Sequence, residues 1–190
     1  GAWLGVSKYM LDTCHYATIS GGTFSGNSNG LYGCTPAIIS GGTFSGNGNA
    51  LNGCTPATIS GGTFSGNGNA LNGCSSITIS GGTFSGNNYA LFNCSSAIIS
   101  GGTFSGGNIA LFNCSSAIIS GGTFTTNSYD LRRIDGKLHN ISLTSATEHY
   151  EYTSMAPIYQ NCQSEDHDGV DGALKAWCKG GVVTSQVTVK

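Results

Sequence analysis

Charge is what this chain has least of. No Asp, Glu, Lys or Arg occurs between Asp12 and Asp130, so fourteen of the sixteen charged side chains fall in the last third. A net charge of −2 supplies no basic footprint for nucleic acid, and that class of partner is excluded. No apolar run approaches the ~20 residues of a membrane-spanning helix, so no membrane span is expected. CxxC and Cys/His zinc spacings are missing, which leaves no tetrahedral metal site in the repeats. There is no initiator Met and no signal-peptide pattern, and Gly1 is expected to be a processed or cut end.

What is present is repetition. Of 190 residues, 31 are Gly, and the segment Ile-Ser-Gly-Gly-Thr-Phe begins at Ile19, Ile39, Ile59, Ile79, Ile99 and Ile119. A strict period of this kind is the signature of a solenoid. Within one unit, Ala37 to Ser40, Thr43 to Ser45 and Ala50 to Asn52 each have strand character. They are separated by Gly41-Gly42, by Gly46 to Asn49 and by Gly53 to Pro56. Several glycines and β-branched residues interrupt every unit, so no amphipathic helix fits. The predicted fold is all-β: a three-sided, right-handed parallel β-helix of 20-residue coils followed by a small β-rich C-terminal region.

Alternation assigns the faces. The Ile39, Phe44, Leu51 and Cys54 columns point inward, and Thr43 and Ser45 flank an inward Phe and point out. Neighbouring rungs are ~4.8 Å apart, so the core consists of identical side chains stacked on one another. Asn27, Asn47, Asn67 and Asn87 fall at a corner, where stacked amides can bond rung to rung. The missing charge has a plain origin. A charged residue in such a ladder faces its own copy one strand away, and like charges directly opposed are destabilising.

Aligning Cys14 with Cys34 puts Leu11 on the Leu31 column and Leu4 on the Phe24 column. Residues 1–16 are therefore a degenerate first coil, 17–144 the solenoid of six repeats plus a partial coil, and 145–190 a separate C-terminal region. Leu131 and Ile134 stay on the Leu and Cys columns, and Asn140 to Leu143 is expected to be one more coil strand after a small insertion. The first coil has no polar cap, and an open solenoid edge normally needs one. Trp3 and Leu4 at that edge, with Val183, Val187 and Val189 of the strand-like tail, are the candidates for end-to-end association between copies.

Cys14, Cys34, Cys54, Cys74, Cys94 and Cys114 recur once per coil. Cα atoms ~4.8 Å apart lie inside the disulfide range of about 4.4–6.8 Å, so rung-to-rung disulfides and a column of reduced thiols stand as equal readings. Cys162 and Cys178 bracket a polar segment and are expected to close it as a loop. An even cysteine count suits an oxidising, extracellular setting.

Asp166, Asp168 and Asp171 sit in an Asp-x-Asp-Gly pattern like that of a calcium loop, but Lys175 occupies the place of the closing Glu, and a solvated acidic loop is the favoured reading. Glu148, His149 and Glu151 read as an exposed patch. Carbohydrate-active enzymes on β-helices need carboxylates, cations or a metal on a coil face. The repeats have none, so neither catalysis nor a cofactor is expected. The outward pairs Thr23/Ser25, Thr43/Ser45, Thr63/Ser65, Thr83/Ser85 and Thr103/Ser105 form a hydroxyl lattice of ~6.7 by ~4.8 Å that could order water. This face is the candidate for ice binding. A second candidate rank mixes Thr18, Thr58 and Thr78 with Ile38, Ile98 and Ile118. Tyr32, Tyr89 and Phe112 break the repeat at corners and are candidates for recognising glycan or protein. Asn93-Cys-Ser, Asn113-Cys-Ser and Asn140-Ile-Ser fit the glycosylation sequon.

The run Phe24-Ser-Gly-Asn27, recurring at Phe44, Phe64 and Phe84, together with the Gly-Gly-Thr before each Phe, resembles the paired GGxx and FxxN repeats of polymorphic outer-membrane adhesins. The resemblance spans about residues 17–129 and implies a right-handed β-helix displayed at a cell exterior in an adhesive or structural role. Phe104-Ser-Gly-Gly107 and Phe124-Thr-Thr-Asn127 depart from that signature.

Overall fold

The computed structural model describes residues 8–126, and beyond them the backbone strands Tyr129–Arg132, Gly136–Leu138, Ser142–Leu143, Glu148–Glu151, Ala173–Leu174 and Val187–Val189. The described residues contain strands and no helix. They form a β-solenoid of three parallel sheets, each coil giving one strand to each sheet. We name the sheets by their inward residue. The leucine sheet has eight strands, the isoleucine sheet seven and the phenylalanine sheet nine.

Local sequence explains each side of the triangle. In Ala57–Ile59 the pattern is buried, exposed, buried, and in Thr63–Gly66 it is exposed, buried, exposed, buried, as period-two side chains require. The turn between these two sides is Gly61-Gly62. Gly62 has φ +103°, a left-handed conformation closed to most side chains, and it lets Thr63 N–H donate to Gly42 O at 2.9 Å. On the far side of Phe64, an added Cβ on Gly66 would collide with the carbonyl oxygen of Asn69, so Gly66 is held as glycine, although Thr126 stands at the equivalent place in the last full coil.

The interior is a set of ladders. Phe24, Phe44, Phe64, Phe84, Phe104 and Phe124 stack with ring centroids 4.8–5.0 Å apart and planes within 8°. Register runs without a slip from Phe24↔Phe44 to Phe104↔Phe124, and likewise through the Ile and Leu columns. Burying each Phe contributes about 2–3 kcal/mol, with stacking adding about 0.5–1.5 kcal/mol per pair.

The leucine sheet departs from strict alternation. Asn49, Ala50 and Leu51 are all buried in succession. Register pairs Asn49 and Leu51 with the next coil and skips Ala50, and in the five coils from Gly30 to Ala110 this extra inward position holds only Gly or Ala. Space explains the restriction, since a Cβ on Gly30 already lies 2.8 Å from Ala50 O.

Leu11 pairs with Leu31, so the first coil is present from Tyr9 onward. At the other end, the coil offset is 20 residues at Leu111↔Leu131 but 19 at Ala117↔Gly136 and Phe124↔Leu143. The expected insertion is therefore a one-residue shortening, taken up between Leu131 and Gly136. One further strand, Glu148–Glu151, continues the leucine sheet beyond residue 144 by pairing with Tyr129–Arg132.

The tail has its own partner. Val187–Val189 pairs in parallel with Ser142–Leu143 of the same chain and in antiparallel with Ala173–Leu174, extending the phenylalanine sheet. The strand expected to add to a neighbouring subunit is occupied within its own molecule. Trp3, Leu4, Ile134, Val183 and the Cys162/Cys178 pair lie outside the described residues.

Candidate functional site

Three outward faces and one internal column carry all the chemistry of the described coils. On the phenylalanine sheet, Thr23, Thr43, Thr63, Thr83 and Thr103 are exposed and in register. Ser25, Ser65 and Ser85 are exposed beside them, and Ser45 and Ser105 are half-buried. The Thr/Ser lattice read from alternation is thus outward-facing. Its serines bond along the rank where Ser45 Oγ–H donates to Ser25 Oγ at 2.9 Å.

The isoleucine sheet presents Thr18, Ile38, Thr58, Thr78, Ile98 and Ile118, all exposed, with the three Ile at 53, 46 and 41%. Every member of this rank is β-branched, so a methyl group recurs at each rung whether or not a hydroxyl accompanies it.

The leucine sheet carries the variable face. Its outward rank pairs Asp12, Tyr32, Asn52, Asn72, Phe92 and Phe112 in register. Tyr9 stacks on Tyr32 with centroids 4.6 Å apart. Tyr89 lies 5.1 Å from both Phe92 and Phe112, which are themselves parallel at 5.7 Å. Tyr32, Tyr89 and Phe112 were expected at corners. They stand on the strands Asn29–Tyr32, Tyr89–Phe92 and Ile109–Phe112, gathered into two aromatic platforms on one face.

Amides brace the coils in two places. At the corner, Asn67 Nδ2 donates to Asn47 Oδ1 at 3.3 Å, in full exposure, as the corner reading requires. The stronger ladder is internal. Asn49 Nδ2 donates to Asn29 Oδ1 at 2.9 Å and Asn69 Nδ2 to Asn49 Oδ1 at 2.8 Å, all three residues buried. Sequence reading missed it by grouping Asn49 with the corner. The usable signal was the replacement of Asn at this position by Ile109, a residue that suits an interior and is buried. The ladder stops at Asn69, whose Oδ1 is left buried without a donor.

The six column cysteines are free thiols, and Cys34 to Cys114 are fully buried. Rung-to-rung disulfides are not formed, and geometry gives the reason. In-register parallel strands hold equivalent Cβ atoms at the rung spacing of about 4.8 Å, whereas a disulfide needs Cβ atoms about 3.8 Å apart. Each thiol instead donates to the carbonyl two residues earlier, at 3.4–3.8 Å. The hydrogen bond to the Cys54 thiol, and then burial, push Cys34 far above the ordinary thiol range. Burial leads the same upward shift at Cys94, followed by the hydrogen bond to Cys114. These are inert core groups, and they no longer speak for an oxidising compartment.

Among the described residues, no three His, Cys, Asp or Glu side chains gather as metal ligands. Asp166, Asp168 and Asp171 lie outside the described residues, as does the sequon residue Asn140. Asn93 and Asn113 are half-buried, and Asn113 Nδ2 donates to Asn93 Oδ1 at 2.7 Å. No protein-family model, curated protein or solved structure matches this chain.

Proposed function

We propose that the chain is a structural and adhesive β-solenoid of a cell exterior, which associates end to end with copies of itself. One observation carries the reading: each coil offers its neighbour the same Phe, Ile, Leu and Cys contacts in the same register, so a terminal coil is a template for another of its kind. Leu11 and Cys14 of the first coil, with Ala17 and Phe24 of the next, pack on the core yet are only partly buried. Among the described residues, the strands Tyr9–Asp12, His15–Ile19 and Thr23–Gly26 each stand at the end of a sheet, and strand edges recruit further strands. With Val187–Val189 engaged inside its own chain, association runs through the first-coil end. Placement at a surface rests on the resemblance of the repeat to outer-membrane adhesins.

Electron microscopy and light scattering of the purified full chain test this. Rods of constant width whose length grows with concentration are expected; a monomer at every concentration sinks the proposal.

A second reading has its own observation. The Thr23 to Thr103 rank is outward, uncharged and held at a fixed spacing by the sheet, which suits an ordered water layer and hence ice. Thermal hysteresis and ice-crystal shaping by the same protein decide it, and a freezing point no different from that of an inert protein removes it.

A further inference from the structure

We infer that the outer face of the leucine sheet is a binding track for a neutral polysaccharide chain lying along the solenoid axis. The inference is independent of end-to-end assembly and stands or falls without it. Side chains on the other two faces repeat more closely from coil to coil: the rank of Thr23 to Thr103 with its serines, and the rank of Thr18 to Ile118, hold only Thr, Ser and Ile, and Tyr16 is a lone exposed phenol ring at the start of its strand. On the leucine sheet the rank reads Tyr32, Asn52, Asn72, Phe92, Phe112, two aromatic platforms flanking two amides. Tyr32 is braced by Tyr9, while Phe92 and Phe112 are braced by Tyr89. A ring held by another ring loses little freedom when a ligand covers it.

The chemistry of the rank selects the partner. A pyranose ring has an apolar face of C–H groups and an edge of hydroxyls. It stacks on an aromatic side chain by one and bonds to an amide by the other. Among the described residues, the side-chain amides of Asn52 and Asn72 have no protein partner, and both are half-buried beside the platforms. Tyr32 and Phe92 are three rungs apart, about 14 Å at the strand spacing, so the two platforms act together only on a chain several sugars long.

Competing ligands fit less well. Lys8, 5.2 Å from the Tyr9 ring, and Arg132, in register with Phe112, stand at the two ends of the track, but no Lys or Arg lies between Thr13 and Tyr129 to hold an acidic glycan along it. A peptide adding as a strand needs an open edge, and the Asn49–Asn52 and Asn69–Asn72 strands that form the middle of the track are paired on both sides.

The test uses the full chain against neutral oligosaccharides of two to six units from glucan, xylan, mannan and chitin, with a polyuronate as the acidic comparison, followed by calorimetry and affinity electrophoresis. At least one neutral series is expected to bind, with affinity rising steeply between two and four units and indifferent to salt. Tyr32→Ala and Phe92→Ala should each weaken binding of the longer chains about tenfold, the equivalent of one ring contact. Tyr32→Phe should retain it, and Asn52→Ala with Asn72→Ala should lose about tenfold for two hydrogen bonds. Thr63→Ala on another face should change nothing, and melting curves of every variant confirm that each is folded. Failure of the whole neutral panel, preference for the polyuronate, absence of a length threshold, or equal binding by folded Tyr32→Ala and Phe92→Ala variants would each overturn the inference.

Discussion

Replacing Asn49 with Ala should destabilise the protein far more than the same change at Asn69, although the two residues are buried alike in identical sequence surroundings. The difference follows from position in the amide ladder. Asn49 donates to Asn29 Oδ1 and accepts from Asn69 Nδ2. Its removal breaks both bonds and leaves two further buried groups without partners. Asn69 makes one ladder bond, and its own Oδ1 already lacks a donor. Truncating it loses one bond and moves the orphan to Asn49 Oδ1, so the number of unsatisfied groups does not change. A buried polar group stripped of its partner costs about 1–3 kcal/mol, while a hydrogen bond contributes about 1 kcal/mol net. Asn49→Ala should therefore cost about 4 kcal/mol and Asn69→Ala about 1 kcal/mol. Side-chain volume lost is the same in both, and it cancels in the comparison. Urea denaturation followed by circular dichroism, with amide hydrogen exchange on the flanking coils, measures the gap. Equal losses at the two positions, or a larger one at Asn69, would refute the ladder reasoning and point to local packing instead.

Stability should fall steeply above about pH 9, because Cys34, Cys54, Cys74 and Cys94 keep their protons in the fold long after unfolded thiols near 8.5 have lost theirs. Cys54, for instance, is pushed up to about 12. The unfolded state then binds fewer protons than the folded one, and each such thiol removes about 1.4 kcal/mol per pH unit until its folded value is reached. Melting temperatures from pH 7 to 11 should show the drop, with a shallower slope in Cys74→Ala. Thr63→Lys and Thr83→Lys, in register on adjacent rungs, should each be nearly neutral, but together cost an extra 0.5–1 kcal/mol or so. Pairing Thr63→Lys with Thr83→Glu should abolish that extra cost, and a double-mutant cycle in which the charges do not couple would remove this explanation for the charge-free coils. Ser96→Gly should raise stability by about 1 kcal/mol, since Ser96 holds φ +55° against its Cβ and is exposed. Thermal denaturation checks it.

The coil was legible in the sequence because its two governing periods are strong. Twenty residues fix the stacking, and alternation fixes which of Ile39, Phe44 and Leu51 turn inward and which of Thr43 and Ser45 turn out. Alternation failed at one place for a physical reason: Asn49, Ala50 and Leu51 are inward in succession, so any period-two reading must misplace one of them. The cysteine column shows a different limit. Sequence spacing gives a Cα separation, which a disulfide tolerates, but not the parallel Cβ directions that forbid it. Strand character in the tail was readable from Val187 to Val189, but its partner was not, because the choice between its own Ser142–Leu143 and another chain is made by tertiary proximity. Among the candidate surfaces, the Thr/Ser lattice emerged from the repeat itself. The aromatic platforms did not, since Tyr32, Phe92 and Phe112 are exceptions scattered 20 to 80 residues apart that meet only when the coils are wound.

The unslipped register of the Phe, Ile and Leu columns has an evolutionary consequence. Since a coil touches only the coils next to it, duplicating or deleting one 20-residue unit anywhere from Ile19 to Ile119 creates no contact in these three columns of a kind not already present. Unequal recombination within the gene would therefore yield folded products that differ in length by one rung at a time. Reach becomes a quantity selection can adjust in steps of about 4.8 Å, with no new core to invent at any step.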